Sequence, residues 1–137
     1  VAVGSVKATQ IRIGLVATAL GNLSDEAANP MVVMNKATWS AFKAAQYAAS
    51  VPVDVFEGLP VAFSNHLKSF AAATTGDAYV IVGDVGHGAL ANFPNGEEIT
   101  FKFDDETLMT QDLIRILGRE YVAIEPVASG AFVQIVK

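Results

Sequence analysis

The sequence predicts an α+β fold, a mixed sheet flanked by helices, and three observations point there. Short apolar runs bounded by Gly, Pro and Asn recur at residues 31–34, 78–82 and 131–136, each about one strand long. A longer segment, 36–49, places apolar residues at helical spacing behind an Asn suited to cap it. Residues 99–103 alternate apolar and polar side chains with the period of a strand. At 137 residues the chain fits one domain able to bury a core.

Taken in order, residues 8–20 carry Ile11, Leu15 and Ala19 at helical spacing and end at Gly21, which predicts a helix, although Ile11-Arg12-Ile13 also alternates. Asn29-Pro30 breaks the chain, Met31-Val32-Val33-Met34 reads as a buried strand, and Asn35 caps a helix over 36–49. Its apolar stripe is Trp39, Phe42, Ala45 and Ala49, with Gln46 inside the same arc. Residues 58–64 predict a strand that Pro60 confines to an edge or a beginning. Residues 64–75, small and polar around Leu67 and Phe70, predict a surface excursion.

Residues 78–82 predict a buried strand, 89–93 a brief helix, and Pro94-Asn95-Gly96 a turn. Ile99, Phe101 and Phe103 alternate with Thr100, Lys102 and Asp104, which predicts one buried and one wet face. Residues 108–124 are ambiguous: Met109, Leu113, Ile116 and Leu117 suit a helix, whereas Tyr121-Val122-Ala123-Ile124 and the β-branched content suit a long strand. Residues 131–136 are apolar on both faces and predict an interior strand at the very terminus.

Composition narrows the function. The chain is 52% hydrophobic and 17% charged, with mean hydropathy +0.39, which leaves apolar surface over once a core is filled and suggests partner interfaces. A net charge of -5 and nine scattered Lys and Arg argue against a nucleic-acid footprint. The absence of cysteine removes disulfides, a thiolate nucleophile and cysteine metal sites, and leaves the redox compartment open. Apolar runs fall far below the ~18 residues of a membrane span. Val1-Ala2-Val3 lacks an initiator Met and the features of a secretory signal, so the chain reads as a processed or excised piece of something longer.

Val80-Ile81-Val82-Gly83-Asp84-Val85-Gly86-His87-Gly88-Ala89-Leu90-Ala91 looks like a strand entering a phosphate loop. Gly86-x-Gly88-x-x-Ala91 satisfies a relaxed dinucleotide fingerprint, and Asp104 follows at a suitable distance. Against it, Pro94-Asn95-Gly96 stops any helix after about two turns, and no Gly-Lys-Ser/Thr ending is present. Glycines that simply permit a tight strand-to-helix turn are the favoured explanation; the alternative is a small nucleotide-binding or enzyme domain using the Gly83 to Gly88 loop.

His66 and His87 with Asp54, Asp77, Asp84 and Asp104 lack the spacing of a metal or acid-base cluster and read as solvated loop residues. Ser64, His66 and Asp77 are triad residue types without a nucleophile elbow. Asp104-Asp105-Glu106 reads as a solvated turn rather than a calcium loop. The expectation is no catalytic residue, no metal site, no cofactor and no enzyme.

The order of segments is more informative than any site. Asn29-Pro30-Met31-Val32-Val33-Met34-Asn35-Lys36-Ala37-Thr38-Trp39, then Gly58-Leu59-Pro60-Val61, then Tyr79-Val80-Ile81-Val82-Gly83-Asp84, together resemble successive landmarks of the major capsid proteins of tailed bacteriophages, the Hong Kong phage-type capsid fold. The similarity spans residues 29–137, and its C-terminal run, residues 113–136, is similar to the family's final long strand and closing strand.

The resemblance implies the C-terminal half of a shell subunit: residues 29–137 as an axial domain with C-terminal strands shared with a peripheral domain, and residues 1–28 as a remnant of the spine-helix region. It implies an extended strand across 108–124, and family segments upstream of Val1 that are missing here. Some members crosslink through a Lys-Asn isopeptide bond assisted by a Glu; Asp112 and Arg119 stand where the Asn and Glu would fall, so no crosslinking is expected. The implied role is structural: self-association into pentamers and hexamers of an icosahedral virion capsid assembled in the bacterial host cytoplasm. Its implied partners are copies of itself and scaffold or other capsid proteins, with no specific nucleic-acid sequence and no membrane. Lys68 and Phe70, in the excursion placed towards the ring axis, are the implied assembly contacts.

Overall fold

The computed structural model describes residues 3–94, 96, 99–106 and 109–137, with the backbone alone at Met109. The chain forms two compact units, one of Val1–Ala89 with Pro126–Lys137, the other of Leu90–Glu125.

The first unit is built on a five-stranded sheet of β1 (Gly4–Lys7), β2 (Met31–Met34), β3 (Val61–Phe63), β4 (Ala78–Gly83) and β9 (Phe132–Val136). Their order is β1-β9-β4-β2-β3. β4 runs antiparallel to both β2 and β9, whereas β1 is parallel to β9 and β3 parallel to β2. The sheet is mixed, as expected, and the terminal strand β9 is interior. β4 shifts register between Ala78 and Val80, and Tyr79 and Val80 are both fully buried.

Among the described residues, α1 (Leu15–Leu20), α2 (Lys36–Ala49) and the single turn α3 (Val85–Gly88) accompany the strands. The core joins Leu15, Val16 and Ala19 of α1 and Phe42 of α2 to Val32, Met34, Tyr79, Val80, Val82, Val133 and Ile135 of the sheet, with Val55 and Phe56 from the following loop. Burial of one such large side chain is worth about 1.5–3 kcal/mol, so the sheet and two helix faces account for most of this unit's cohesion.

α2 has the predicted bounds, and the Asn35 side chain accepts from the Ala37 N–H as its cap. Its stripe differs from expectation. Phe42 and Thr38 are buried, Trp39 remains 36% exposed and Ala49 lies at the surface. The Gln46 amide reaches across to the Val53 carbonyl. The helix expected over 8–20 shrinks to α1, because the Ala8 N–H donates to the Val136 carbonyl at 2.8 Å and extends the β1–β9 ladder into that segment. β3 is an edge strand, as Pro60 requires, with the Pro60 carbonyl accepting from the Val32 N–H.

The brief helix expected at 89–93 is a strand, β5 (Ala89–Asn92). The helical turn comes earlier, at α3, and ends where Ala89 turns extended (φ -119°, ψ 144°). In the second unit β5 pairs with β8 (Ala123–Pro126), and β6 (Thr100–Asp104) pairs with β7 (Arg115–Arg119). Pro94 and Gly96 lie in a turn in which the Gly96 N–H donates to the Phe93 carbonyl and Gly96 has φ +81°; Asn95 falls outside the described residues. The ambiguous segment is extended, but as two strands separated by residues 120–122 and preceded by a short 3-10 turn at Met109–Gln111. Its first residue, Leu108, falls outside the described residues.

β6 corrects a further expectation. Its apolar face is not buried: Phe101 is 58% and Phe103 70% exposed. Alternation gave the ribbon two unlike faces, and the apolar one is exposed.

Candidate functional site

The glycine turn is an internal joint. Asp84 is buried; its Oδ1 accepts from the His87 N–H at 3.3 Å, and its Oδ2 from the Asn29 N–H at 3.3 Å. The Asp84 N–H in turn donates to the Ala131 carbonyl at 3.1 Å. Gly83 and Gly88 serve closeness rather than an unusual φ. A Cβ on Gly88 would stand 2.4 Å from the Ala131 Cβ and 2.7 Å from the Phe132 ring. Space that a phosphate would need beside a glycine loop is therefore filled by Ala131 and Phe132, and β4 lies between antiparallel neighbours rather than in a parallel crossover unit. The glycines do more than bend the backbone: they admit β9.

The remaining polar residues do not converge. Asp77 Oδ2 is held by Lys68 Nζ at 2.7 Å and by the Thr74 N–H and hydroxyl at 2.9 and 2.8 Å. The Lys68 hydrogen bond, followed by those of Thr74, keeps the Asp77 carboxyl well below the usual carboxylate range. Ser64 Oγ accepts from the backbone N–H of His66, and Asp77 is engaged by Lys68 and Thr74 rather than by His66, so the three triad residue types are not assembled. Asp54 accepts from the Phe56 and Gly58 N–H groups, and the Phe56 bond leads in lowering its carboxyl. Asp104 Oδ1 accepts from the Glu106 N–H. His87 Nε2 lies 3.7 Å from Glu26 Oε2. Among the described residues no three His, Asp or Glu side chains gather as a metal site, and no helix is long and apolar enough to cross a membrane. A cleft of about 390 Å³ lined by Lys7, Arg12 and Thr18 among others shares no residue with the glycine turn.

Lys68 is exposed, whereas Phe70 is half-buried, edge-on to Tyr79 with ring centroids 5.1 Å apart. Lys137 Nζ sits 4.6 Å from the Phe70 ring centroid and donates to the Phe70 carbonyl, and the Phe70 N–H donates to Thr38 Oγ1. Phe70 thus ties the excursion to the core.

Two surfaces are left exposed that the sequence did not mark as such. On the β6–β7 ribbon, Phe101 stands opposite Gly118 and Phe103 opposite Ile116, so one face is apolar, while Thr100, Lys102 and Asp104 share the other with Arg119, Leu117 and Arg115. On the first unit, Trp39 and Phe63 meet edge to face at 6.2 Å, with Lys43 over Trp39 and Lys36 over Phe63. The alternation at 99–103 signalled the first; nothing local pairs Trp39 with Phe63.

The fold agrees with the comparisons. The chain is similar in structure to a solved chain described as "Capsid of empty GTA particle computed with C5 symmetry", with TM-score 0.73 and 19% sequence identity over 98% of this chain and 50% of that one. It therefore spans about half the length of the solved chain it matches. No curated protein matches it. The profile of the phage capsid family covers residues 2–137, the mixed sheet is that of a capsid subunit, and on this evidence the chain belongs to the phage capsid family.

Proposed function

We propose that the chain is a structural part of a subunit that builds an icosahedral phage or prophage capsid shell by association with copies of itself into pentamers and hexamers. One observation carries the proposal beyond family membership: the β6–β7 ribbon leaves Phe101, Phe103 and Ile116 between 58% and 70% exposed on one face. A two-stranded ribbon does not bury such a face alone, so it is made for a partner. The shell mechanism is repeated head-to-tail contact, in which one flank of each subunit meets the opposite flank of the next until rotation closes a ring. Individually modest contacts become durable when many act together. The 64–75 excursion, with Lys68 and Phe70, is the proposed contact near the ring axis. The role is structural, and the place of action is the virion capsid.

Electron microscopy of the intact subunit after overproduction in bacteria tests this. Uniform hollow shells or isolated rings are the expected result, and monomers at all concentrations overturn it. Titration with NAD and ATP serves as the control, with no binding heat expected because Ala131 and Phe132 fill the glycine turn.

A further inference from the structure

The five-stranded sheet has an open edge along β1, which pairs with β9 on one side and, among the described residues, with no strand on the other. The Ala8 N–H donates to the Val136 carbonyl at 2.8 Å, so in this parallel ladder Val6 and Ala8 turn their backbone groups to β9. By alternation, Ser5 and Lys7 turn theirs outward. Their N–H donors and carbonyl acceptors stand open on the edge in the pattern that another extended chain satisfies.

The cleft of about 390 Å³ lies against this strand, lined by Val6, Lys7 and Thr9 at its end and by Arg12, Leu15 and Thr18 from the turn and α1. Two of its lining side chains are cationic and none is acidic. Lys7 and Arg12 are both exposed, and among the described residues neither side chain joins an ion pair or a hydrogen bond. A phosphate backbone would suit the two cations, but it brings no donors for the outward carbonyls of Ser5 and Lys7, which would face its oxygens. A second β1 edge is disfavoured as well, because it sets lysine beside lysine. An extended peptide supplies donors and acceptors in alternation, and a carboxylate on it complements the cations. The chain itself is rich in that complement, with fourteen Asp and Glu against nine Lys and Arg. Asp105, Glu106, Glu120 and Glu125 are exposed, within or beside β6, β7 or β8, and among the described residues none of them is in an ion pair.

We propose that an extended, carboxylate-bearing segment of a second copy adds as a strand to the outer edge of β1, its main chain pairing with Ser5 and Lys7 and a carboxylate entering the cleft between Lys7 and Arg12. The contact joins unlike surfaces, an open edge and an acidic strand, and so propagates head to tail. It rests on the self-association proposed above and names a surface that performs it.

Amide hydrogen exchange at Ser5 and Lys7 tests the strand addition. Both amides are expected to exchange fast in the dissociated intact subunit and to slow at least about tenfold in shells purified free of nucleic acid and of other protein. Shells whose Ser5 and Lys7 amides exchange as fast as in the dissociated subunit overturn the strand addition while leaving self-association standing; no oligomer of any kind overturns both. Slow exchange already in the dissociated subunit means that the chain covers its own edge, and slow exchange only in shells that hold nucleic acid or a second protein assigns the edge to that partner; either result overturns the proposal. Charge reversal tests the carboxylate. Lys7→Glu combined with Arg12→Glu is expected to shift the unfolding midpoint of the dissociated subunit no more than other surface substitutions do and to slow assembly several-fold. Lys7→Arg combined with Arg12→Lys keeps both charges and is expected to assemble as the parent does. A charge-reversed subunit that assembles at the parent's rate overturns the pairing of a carboxylate with these two cations.

Discussion

Gly83 and Phe132 stand opposite each other in the β4–β9 ladder, so closely that a Cβ on Gly83 would lie 2.3 Å from the Phe132 ring and 2.7 Å from the Ala131 carbonyl oxygen. The ring could turn aside, but the carbonyl is backbone and accepts the Asp84 N–H, so it cannot retreat without breaking that bond. Gly83→Ala is expected to lower stability by about 1–3 kcal/mol, the range of core overpacking. Gly118→Ala is the control: its Cβ would meet Phe101 and Ile99 at ordinary distances of 3.4 and 3.6 Å, and the expected change is neutral or a gain of up to about 1 kcal/mol from the unfolded chain's lost freedom. Denaturant melts decide it; equal midpoints for Gly83→Ala and the parent chain would refute the packing argument.

Thr38 is fully buried, and its hydroxyl accepts the Phe70 N–H at 3.1 Å, the bond that pins the 64–75 excursion to α2. Replacement by Val keeps the shape and strands a backbone donor, at an expected cost of about 1–3 kcal/mol. Ser, which keeps the oxygen, should lose less. Amide exchange at Phe70 gives the local reading: Thr38→Val should speed it and Thr38→Ser should not.

What the chain discloses depends on how far away the deciding contact lies. α2 was legible because its cap, Asn35, and its helical spacing are local, and β9 because a strand covered on both faces needs apolar residues on both. β1 was not. Gly4-Ser5-Val6-Lys7 has no strand signal and becomes one only because β9, more than a hundred residues later, offers it a parallel edge. Residues 89–93 were misjudged for the same reason: nothing near Ala89 reveals the β8 partner that makes β5 a strand. The Phe101 and Phe103 alternation announced two unlike faces correctly, yet periodicity cannot say whether the covering element belongs to the same chain.

Asp77 makes a pH dependence. Its carboxyl, ordinarily at 3.8, is lowered in the folded chain first by the Lys68 hydrogen bond and then by Thr74. A depressed folded value means that the unfolded state binds the proton more readily, so the stabilisation is fully present above pH 3.8 and is lost as pH falls below it through the folded value. Asp77→Asn should lower the neutral part of the stability curve and flatten its acid limb in that window, so that the two proteins converge as pH falls. Because the pair is exposed, added salt should diminish the difference. An acid limb identical in the two proteins would place the proton uptake elsewhere.

Phe42 and Phe103 separate folding from association. Phe42 is fully buried and meets the Phe56 ring at 5.7 Å, so Phe42→Ala removes core contacts and should cost about 3–5 kcal/mol. Phe103 is 70% exposed in the single chain and stands beside Ile116 on the ribbon's uncovered face. Phe103→Ser should therefore change the stability of the dissociated subunit by no more than about 0.5 kcal/mol, as surface substitutions do. Its consequence should appear on mixing, as fewer or no shells at subunit concentrations where the parent assembles completely. Denaturation of dissociated subunits and light scattering during assembly measure the two properties independently. Loss of folding stability in Phe103→Ser comparable to that of Phe42→Ala would show that the ribbon's apolar face is buried within its own chain, and the case for a face kept for a partner would end there.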